Sequence, residues 1–273
     1  METYWEKNLL CPVCGEKTER IGGSLFCRGA RRHCFDFSAA GYLNFAPATA
    51  TGSGDDATLV AARTAFLDAG YYRPFAENVT EILRQYAPSG ACIDAGCGEG
   101  YYTSFFARSG YKMLGVDLSK KAIAHAAKRA KKEEIDALFA VCGVFSLPVG
   151  EACADAVVSL FAPIAEEEFC RVLKKGGVLV TVAAGKDHLS ELKSLLYDTP
   201  RGNAPRADLP KNMECLASNR IAFSMRLDNK ALCDLFAMTP YYYRTPSEGR
   251  ERLQNTDSLS VLAEAEISVF CKK

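Results

Sequence analysis

Asp94-Ala-Gly96-Cys-Gly98-Glu99-Gly100 sets three glycines on alternate positions, directly after an apolar run and directly before a helical stretch. Glycines at such a junction let the backbone approach a ligand closely and take dihedrals that a Cβ forbids. One acid, Asp94, precedes the first glycine by two residues. A second, Asp117, ends the next apolar run in Gly115-Val-Asp-Leu-Ser119, where a ribose diol would be met. The third glycine follows the second by two residues, whereas the dinucleotide fingerprint has three. The chemistry of this turn is therefore the cradling of a ribose-bearing cofactor in a spacing that disfavours NAD. A second constellation lies at the start: Cys11-Pro-Val-Cys14-Gly15, then Cys27, then His33-Cys34. A C-x-x-C pair puts two thiolates on one turn, and a second pair completes a tetrahedron around Zn2+. Cys27 is the third ligand, and the fourth is either His33 or Cys34. With all four positions filled by protein, such a zinc is structural.

The elements that must position these residues follow from periodicity. Ala91–Ala95, Lys112–Val116, Leu138–Val141, Ala156–Leu160 and Val178–Val182 are short apolar runs that predict buried strands. Between them, Gly100–Arg108, a stretch capped by Ser119 and running to Lys132, and Ala165–Leu173 predict helices. Strands alternating with helices imply parallel pairing with right-handed crossovers, hence an α/β, doubly wound sheet. Ahead of it, residues 57–86 carry apolar positions at helical spacing, broken near Gly70 and Pro74 into two helices. The small polar stretch from Ala46 to Asp56 reads as a linker. Beyond Glu214 the signals thin out. Val261–Phe270 predicts one long strand at the sheet edge, and Tyr241-Tyr-Tyr243 reads as a strand or as a stacking surface for bases. The division expected is a zinc-binding RNA-recognition domain over 1–45, a linker and helical segment over 46–88, and a catalytic domain over 89–273.

Composition narrows the function. The 273 residues are 48% hydrophobic, with no apolar run near the ~20 residues that span a bilayer. Thirty-three basic residues balance 33 acidic ones, which excludes a protein that coats nucleic acid by bulk charge but allows a local patch. Arg28, Arg31 and Arg32, between the zinc ligands, form one such patch. No secretory segment is visible, so the twelve cysteines are expected as reduced thiols in the cytoplasm.

The glycine turn with its two acids resembles the class I S-adenosylmethionine-dependent methyltransferases, whose sheet is Rossmann-like. Further stretches sharpen the likeness: Cys11-Pro-Val-Cys14, His33-Cys-Phe-Asp-Phe-Ser-Ala-Ala-Gly-Tyr-Leu-Asn44, Ala65-Phe-Leu-Asp-Ala-Gly-Tyr-Tyr72, Gly98-Glu-Gly-Tyr-Tyr-Thr103, Phe161-Ala-Pro163 and Gly185-Lys-Asp-His-Leu189. Together they resemble the bacterial large-subunit (23S) rRNA guanine-N1 methyltransferases, a family that includes macrolide-resistance relatives. The resemblance spans residues 11–196 and implies that S-adenosylmethionine is the cofactor and an rRNA hairpin the partner. It implies that Cys11, Cys14, Cys27 and His33 hold zinc, and that Tyr72, Gly98, Glu99, Asp117 and His188 surround the methyl donor. Asp94, Gly96 and Gly100 complete the donor set through the turn itself. Two departures stand out. The Cys27–His33 loop is two residues longer than in relatives and is followed at once by Cys34, and basic residues are missing before Gly54-Asp55.

Phe161 and Pro163 follow the fourth strand at its carboxyl end, where open α/β sheets bind substrate, and are expected to flank an extruded guanine. Glu99, Asp155 and His188 are the candidates for a general base, with water as the alternative. A small-molecule or protein acceptor, or a non-catalytic zinc-bearing RNA-binding protein, are the competing readings. Two-part enzymes of this kind could pair as a homodimer to widen a basic cleft.

Overall fold

A computed structural model of the chain describes residues 2–46, 57–204 and 209–273. The expected linker falls almost wholly on 47–56, outside the described residues, as does Gly54-Asp55. The chain opens with helix α1 (Tyr4–Asn8), closed by a capping box between Thr3 and Glu6. Strands β1 (Thr18–Ile21), β2 (Ser24–Cys27) and β3 (Cys34–Asp36) then form a small antiparallel sheet. Strand β4 (Leu43–Asn44) leaves it to join the large sheet. Helices α2 (Ala57–Asp68) and α3 (Arg73–Tyr86) meet at Gly70 in the left-handed region, with Pro74 in the first turn of α3.

The alternating unit follows as β5 (Ala91–Ala95), α4 (Tyr101–Arg108), β6 (Lys112–Asp117), α5 (Lys120–Lys132), β7 (Ala137–Val141), β8 (Ala154–Leu160), α6 (Glu166–Val172), β9 (Leu173–Ala184) and α7 (Ser190–Leu196). Ser119 caps α5 by accepting from the Ala122 N–H, the role its position predicted. Strand β10 (Glu214–Asp228), helices α8 (Asn229–Met238) and α9 (Ser247–Gln254), and strand β11 (Ser258–Cys271) finish the chain.

The large sheet has the order β10-β11-β9-β8-β5-β6-β7-β4. Its centre is parallel, as alternation requires, whereas β11 runs antiparallel to β9 and pairs with β10 in a long hairpin. Sequence reasoning found β11 but put it at the sheet edge, which β10 occupies instead. An edge strand has one unpaired side and need not be apolar, and most of β10 is exposed. Tyr241-Tyr-Tyr243 is not a strand. Pro240 starts a 3-10 turn there, over Pro240–Tyr243, because proline fixes φ and removes the N–H that a strand would use.

Two layers of core flank the sheet. Phe66, Tyr72, Phe75, Val79 and Leu83 of the leading helices pack with Val158, Val180, Ile267 and Leu232 on one face. On the other, Trp5, Leu9, Leu25 and Leu43 pack with Ile93, Leu114, Val157 and Phe169. The N-terminal residues thus share the sheet's core. Trp5 Nε1–H donates to the Lys112 carbonyl at 2.8 Å, and Tyr4 O–H to the Cys153 carbonyl at 2.5 Å.

Candidate active site and metal centre

The carboxyl ends of β5, β6, β8 and β9 open into a cavity of about 890 Å³. That is within the range of cofactor and ligand clefts. Gly96, Gly98, Glu99, Asp117, Tyr72, His188, Phe161 and Pro163 all line it, so the structure gathers these sequence-selected residues in one place. Asp94 and Gly100 stand behind the wall. Asp94 is buried and accepts the Thr103 hydroxyl at 2.5 Å, tying α4 to the end of β5. Gly100 has φ +79, and a Cβ there would sit 2.7 Å from the Ala126 Cβ. Its glycine serves close packing of turn on helix.

The turn is pre-shaped by the second acid. Asp117 Oδ2 accepts the Gly98 N–H at 3.0 Å and Oδ1 the Ser119 N–H at 2.7 Å. Gly96 has φ +86, and a Cβ would fall 2.6 Å from the Ala162 Cβ, so the turn lies directly against the Phe161-Ala-Pro163 bend. Ser159 holds that bend, its hydroxyl lying 3.2 Å from the carbonyls of Ala162 and Pro163. Phe161 is a non-glycine residue at φ +53 and is 41% exposed, a strained position that places its ring over the opening. The ring stacks on His188 at 5.8 Å and on Tyr72 at 6.2 Å.

His188 is buried, and its Nδ1 accepts the Glu264 N–H at 3.1 Å. Neutral imidazole then carries its hydrogen on Nε2, which lies 3.4 Å from the Tyr72 hydroxyl. Burial, with Lys193 adding to it, pushes the His188 pKa down to about 4, which keeps the ring neutral near pH 7. With its lone pair engaged and its other nitrogen a donor, His188 does not serve as a base. Asp155 is not at the site. It stands at the start of β8, the opposite edge of the sheet, accepting the Ala91 N–H and pairing with Lys174 at 2.7 Å. Glu99 is buried, which raises its carboxyl to about 7 against the lowering effect of Arg63 and nearby amides. Burial likewise raises Asp94 to about 7. The Cys142 thiol in the wall is pushed up to about 12 by burial, so it stays protonated and is no nucleophile.

Sequence reasoning missed several wall residues. Arg63 from α2 stands beside the turn, its Nη1 3.5 Å from where a Gly98 Cβ would be. Leu118 and Phe145 line the cavity with 47% and 68% exposure. Asn203 and Tyr241 reach it from the C-terminal third. Leu118, directly after Asp117, has a local signal, and Tyr241 belongs to the tyrosine run already read as a strand or a stacking surface. The cavity suits a methyl donor with an adenosine and an amino-acid end. The turn leaves no side chain between Gly96 and Gly98 except Cys97, and the buried Tyr102 hydroxyl in the wall has no hydrogen-bond partner among the described residues. Apolar Leu118 and Phe145 offer a base-covering surface beside Asp117.

At the other centre, Cys11, Cys14, Cys27 and His33 bring their ligand atoms within 4.8 Å of one another. Cys14 and Cys27 sulfurs are 3.3 Å apart, and His33 Nδ1 is 3.4 Å from Cys11 Sγ and 3.6 Å from Cys14 Sγ. A tetrahedral zinc with bonds of about 2.3 Å to sulfur and 2.0–2.1 Å to nitrogen has ligand separations of roughly 3.6–3.8 Å. Donor set and spacing fit Zn2+. Of the two alternatives it is His33 that stands with the three cysteines, whereas Cys34 is exposed and points to Asp36, 3.7 Å from its Oδ1. The longer loop folds into a turn, with Arg32 at φ +45 and its N–H bonded to the Gly29 carbonyl, that delivers His33 inward.

Residues 92–177 match the family model described as a methyltransferase domain. Among solved structures, the YcgJ protein from Bacillus subtilis superposes with a TM-score of 0.50 at 15% identity, over 72% of this chain and 99% of that one. Sheet order, glycine turn and these likenesses define a Rossmann-like methyltransferase. More closely, the chain is 30% identical to the 23S rRNA (guanine(748)-N1)-methyltransferase of Streptomyces fradiae, over 90% of this chain and 89% of that one. It is also 30% identical to YxjB of Bacillus subtilis, provisionally named a 23S rRNA (guanine-N1)-methyltransferase, over 96% of both chains. The chain belongs to the 23S rRNA (guanine-N1)-methyltransferase family.

Proposed function

We propose that this protein transfers a methyl group from S-adenosylmethionine to N1 of a guanine in a hairpin of large-subunit rRNA. The observation that carries the reading is one cavity with two unlike walls in a chain of this family: the glycine turn and Asp117 on one side, the rings of Tyr72, Phe161 and His188 on the other. Bound S-adenosylmethionine supplies a methyl group on a positively charged sulfonium. Asp117 accepts hydrogen bonds from the ribose hydroxyls, and Leu118 and Phe145 cover the adenine. Gly96 and Gly98 face the methionine part, with Glu99 and Arg63 beside it and Arg63 as counter-charge to its carboxylate.

Phe161 and Pro163 flank the extruded guanine, whose unstacking costs least in a loop. Tyr72 and neutral His188 complete a ring-lined wall that holds N1 in line with the methyl group. As the N1–C bond forms and the C–S bond breaks, the N1 proton leaves to water and the base ends neutral.

Residues 1–45, folded around the structural zinc, grip the RNA backbone. Arg28, Arg31 and Arg32 are exposed on the loop between the ligands. Residues 46–88 join this module to the methyltransferase domain over 89–273. Acting on ribosomal RNA, the protein would work in the cytoplasm, and a homodimer would present two such modules to one RNA. The test is mass mapping of methylated guanines in rRNA from cells with and without the gene. One N1-methylguanine that disappears with the gene supports the proposal, and identical rRNA maps with loss of methylation elsewhere refute it.

A further inference from the structure

We propose that Glu264, on β11, is the positioning residue of the ring-lined wall: it fixes the Gly185–His188 loop through both backbone and carboxylate, with Arg220 of the edge strand as its counter-ion. Its importance to methyl transfer rests on the function proposed above. Four interactions converge on this residue. The Gly185 N–H donates to its carbonyl at 3.0 Å, and its own N–H donates to His188 Nδ1 at 3.1 Å. Its Oε2 accepts the Asp187 N–H at 2.7 Å, and its Oε1 pairs with the Arg220 guanidinium. Gly185 packs so tightly on the side chain that a Cβ there would lie 2.5 Å from Cγ and Cδ. From the other side, Asn203 Nδ2 donates to the Gly185 carbonyl at 2.7 Å and to the His188 carbonyl at 3.3 Å.

The loop is therefore clamped between two polar side chains from later in the chain. Glu264 is 2% exposed, next to Ala263 and Ala265 in a buried stretch of strand. A carboxylate there costs desolvation that an apolar residue would avoid, and sheet pairing alone does not require it. What the carboxylate secures is the Asp187 end of the loop, and through it the approach of His188 Nδ1 to the backbone N–H of the strand. The Glu264 N–H on Nδ1 leaves the imidazole hydrogen on Nε2, aimed at Tyr72.

The test is nitrogen NMR of the imidazoles in the ligand-free, zinc-loaded protein, in which only His33, His125 and His188 contribute. In the parent protein His188 is expected as the Nε2–H tautomer, neutral through pH 6. In Glu264→Ala it is expected to mix tautomers. Glu264→Gln, which keeps an oxygen for the Asp187 N–H, is expected to restore the parent signal. If Glu264→Ala fails to fold, Arg220→Met gives the same readout and should show the same mixing. An unchanged His188 signal in Glu264→Ala, or in Arg220→Met where the Ala variant does not fold, overturns the proposal. The readout needs no methyl transfer, so absent rRNA activity would count against the proposed function and not against the positioning role.

Discussion

Asp117→Ala removes a carboxylate that has two tasks. It holds the Gly98 and Ser119 amides at 3.0 and 2.7 Å, and it stands where the ribose hydroxyls of the donor are proposed to bind. A hydrogen bond to a charged acceptor contributes about 1.5–3 kcal/mol net, so losing the ribose contact alone weakens binding roughly 10- to 150-fold. Asp117 is only half-buried, so solvent screening favours the lower half of that range. Release of Gly98 adds to it, because the turn must be re-ordered at each binding event. Asp117→Asn keeps an acceptor oxygen and should lose about tenfold or less. The assay is calorimetric titration with S-adenosylmethionine, beside a thermal melt to show that the variant is folded. A folded Asp117→Ala protein with parental donor affinity refutes the placement of the ribose and, with it, the orientation of the whole cofactor.

Gly100→Ala should lower stability by about 2–5 kcal/mol, read by denaturant titration, since a Cβ at φ +79 is strained and meets Ala126 at 2.7 Å. Chelation of zinc, or His33→Ala, should loosen residues 1–45 to hydrogen exchange and lower the melting temperature, while Cys34→Ser keeps one zinc per chain by metal analysis. In the ligand-free protein, Asp94 and Glu99 hold their protons to about pH 7 when folded and release them near the ordinary carboxylate range when unfolded. The folded state therefore binds more protons in between, and stability should fall as pH rises from about 4 to 7. Asp94→Asn should flatten that slope in melts followed across the range.

Local patterns made much of this legible beforehand. Ala91–Ala95 and Val178–Val182 are largely apolar, Asp94 and Thr181 apart, because both faces of a central strand are covered, and the glycine turn announces itself because no other residue fits Gly96 against Ala162. The three cysteines were plain, but the choice of His33 over Cys34 depended on how the loop turns, which spacing does not encode. Strand β10 was invisible because its residues face solvent and its partner lies some forty residues on. Arg63 and Asn203 reach the site from distant elements, Glu264 braces its loop from behind, and none carries a motif of its own. Topology alone excludes Asp155: a residue that opens a parallel strand stands at the wrong edge for a site at the carboxyl ends.

The decisive measurement is reconstitution: purified protein, S-adenosylmethionine labelled in its methyl group, and protein-free 23S rRNA, followed by nuclease digestion and mass spectrometry. Label is expected at N1 of guanine within one hairpin, and absent when Asp117→Ala is assayed at donor concentrations near the parental Kd. Unlabelled rRNA, with the methyl group recovered instead on a metabolite or a protein from cell extract, would contradict it.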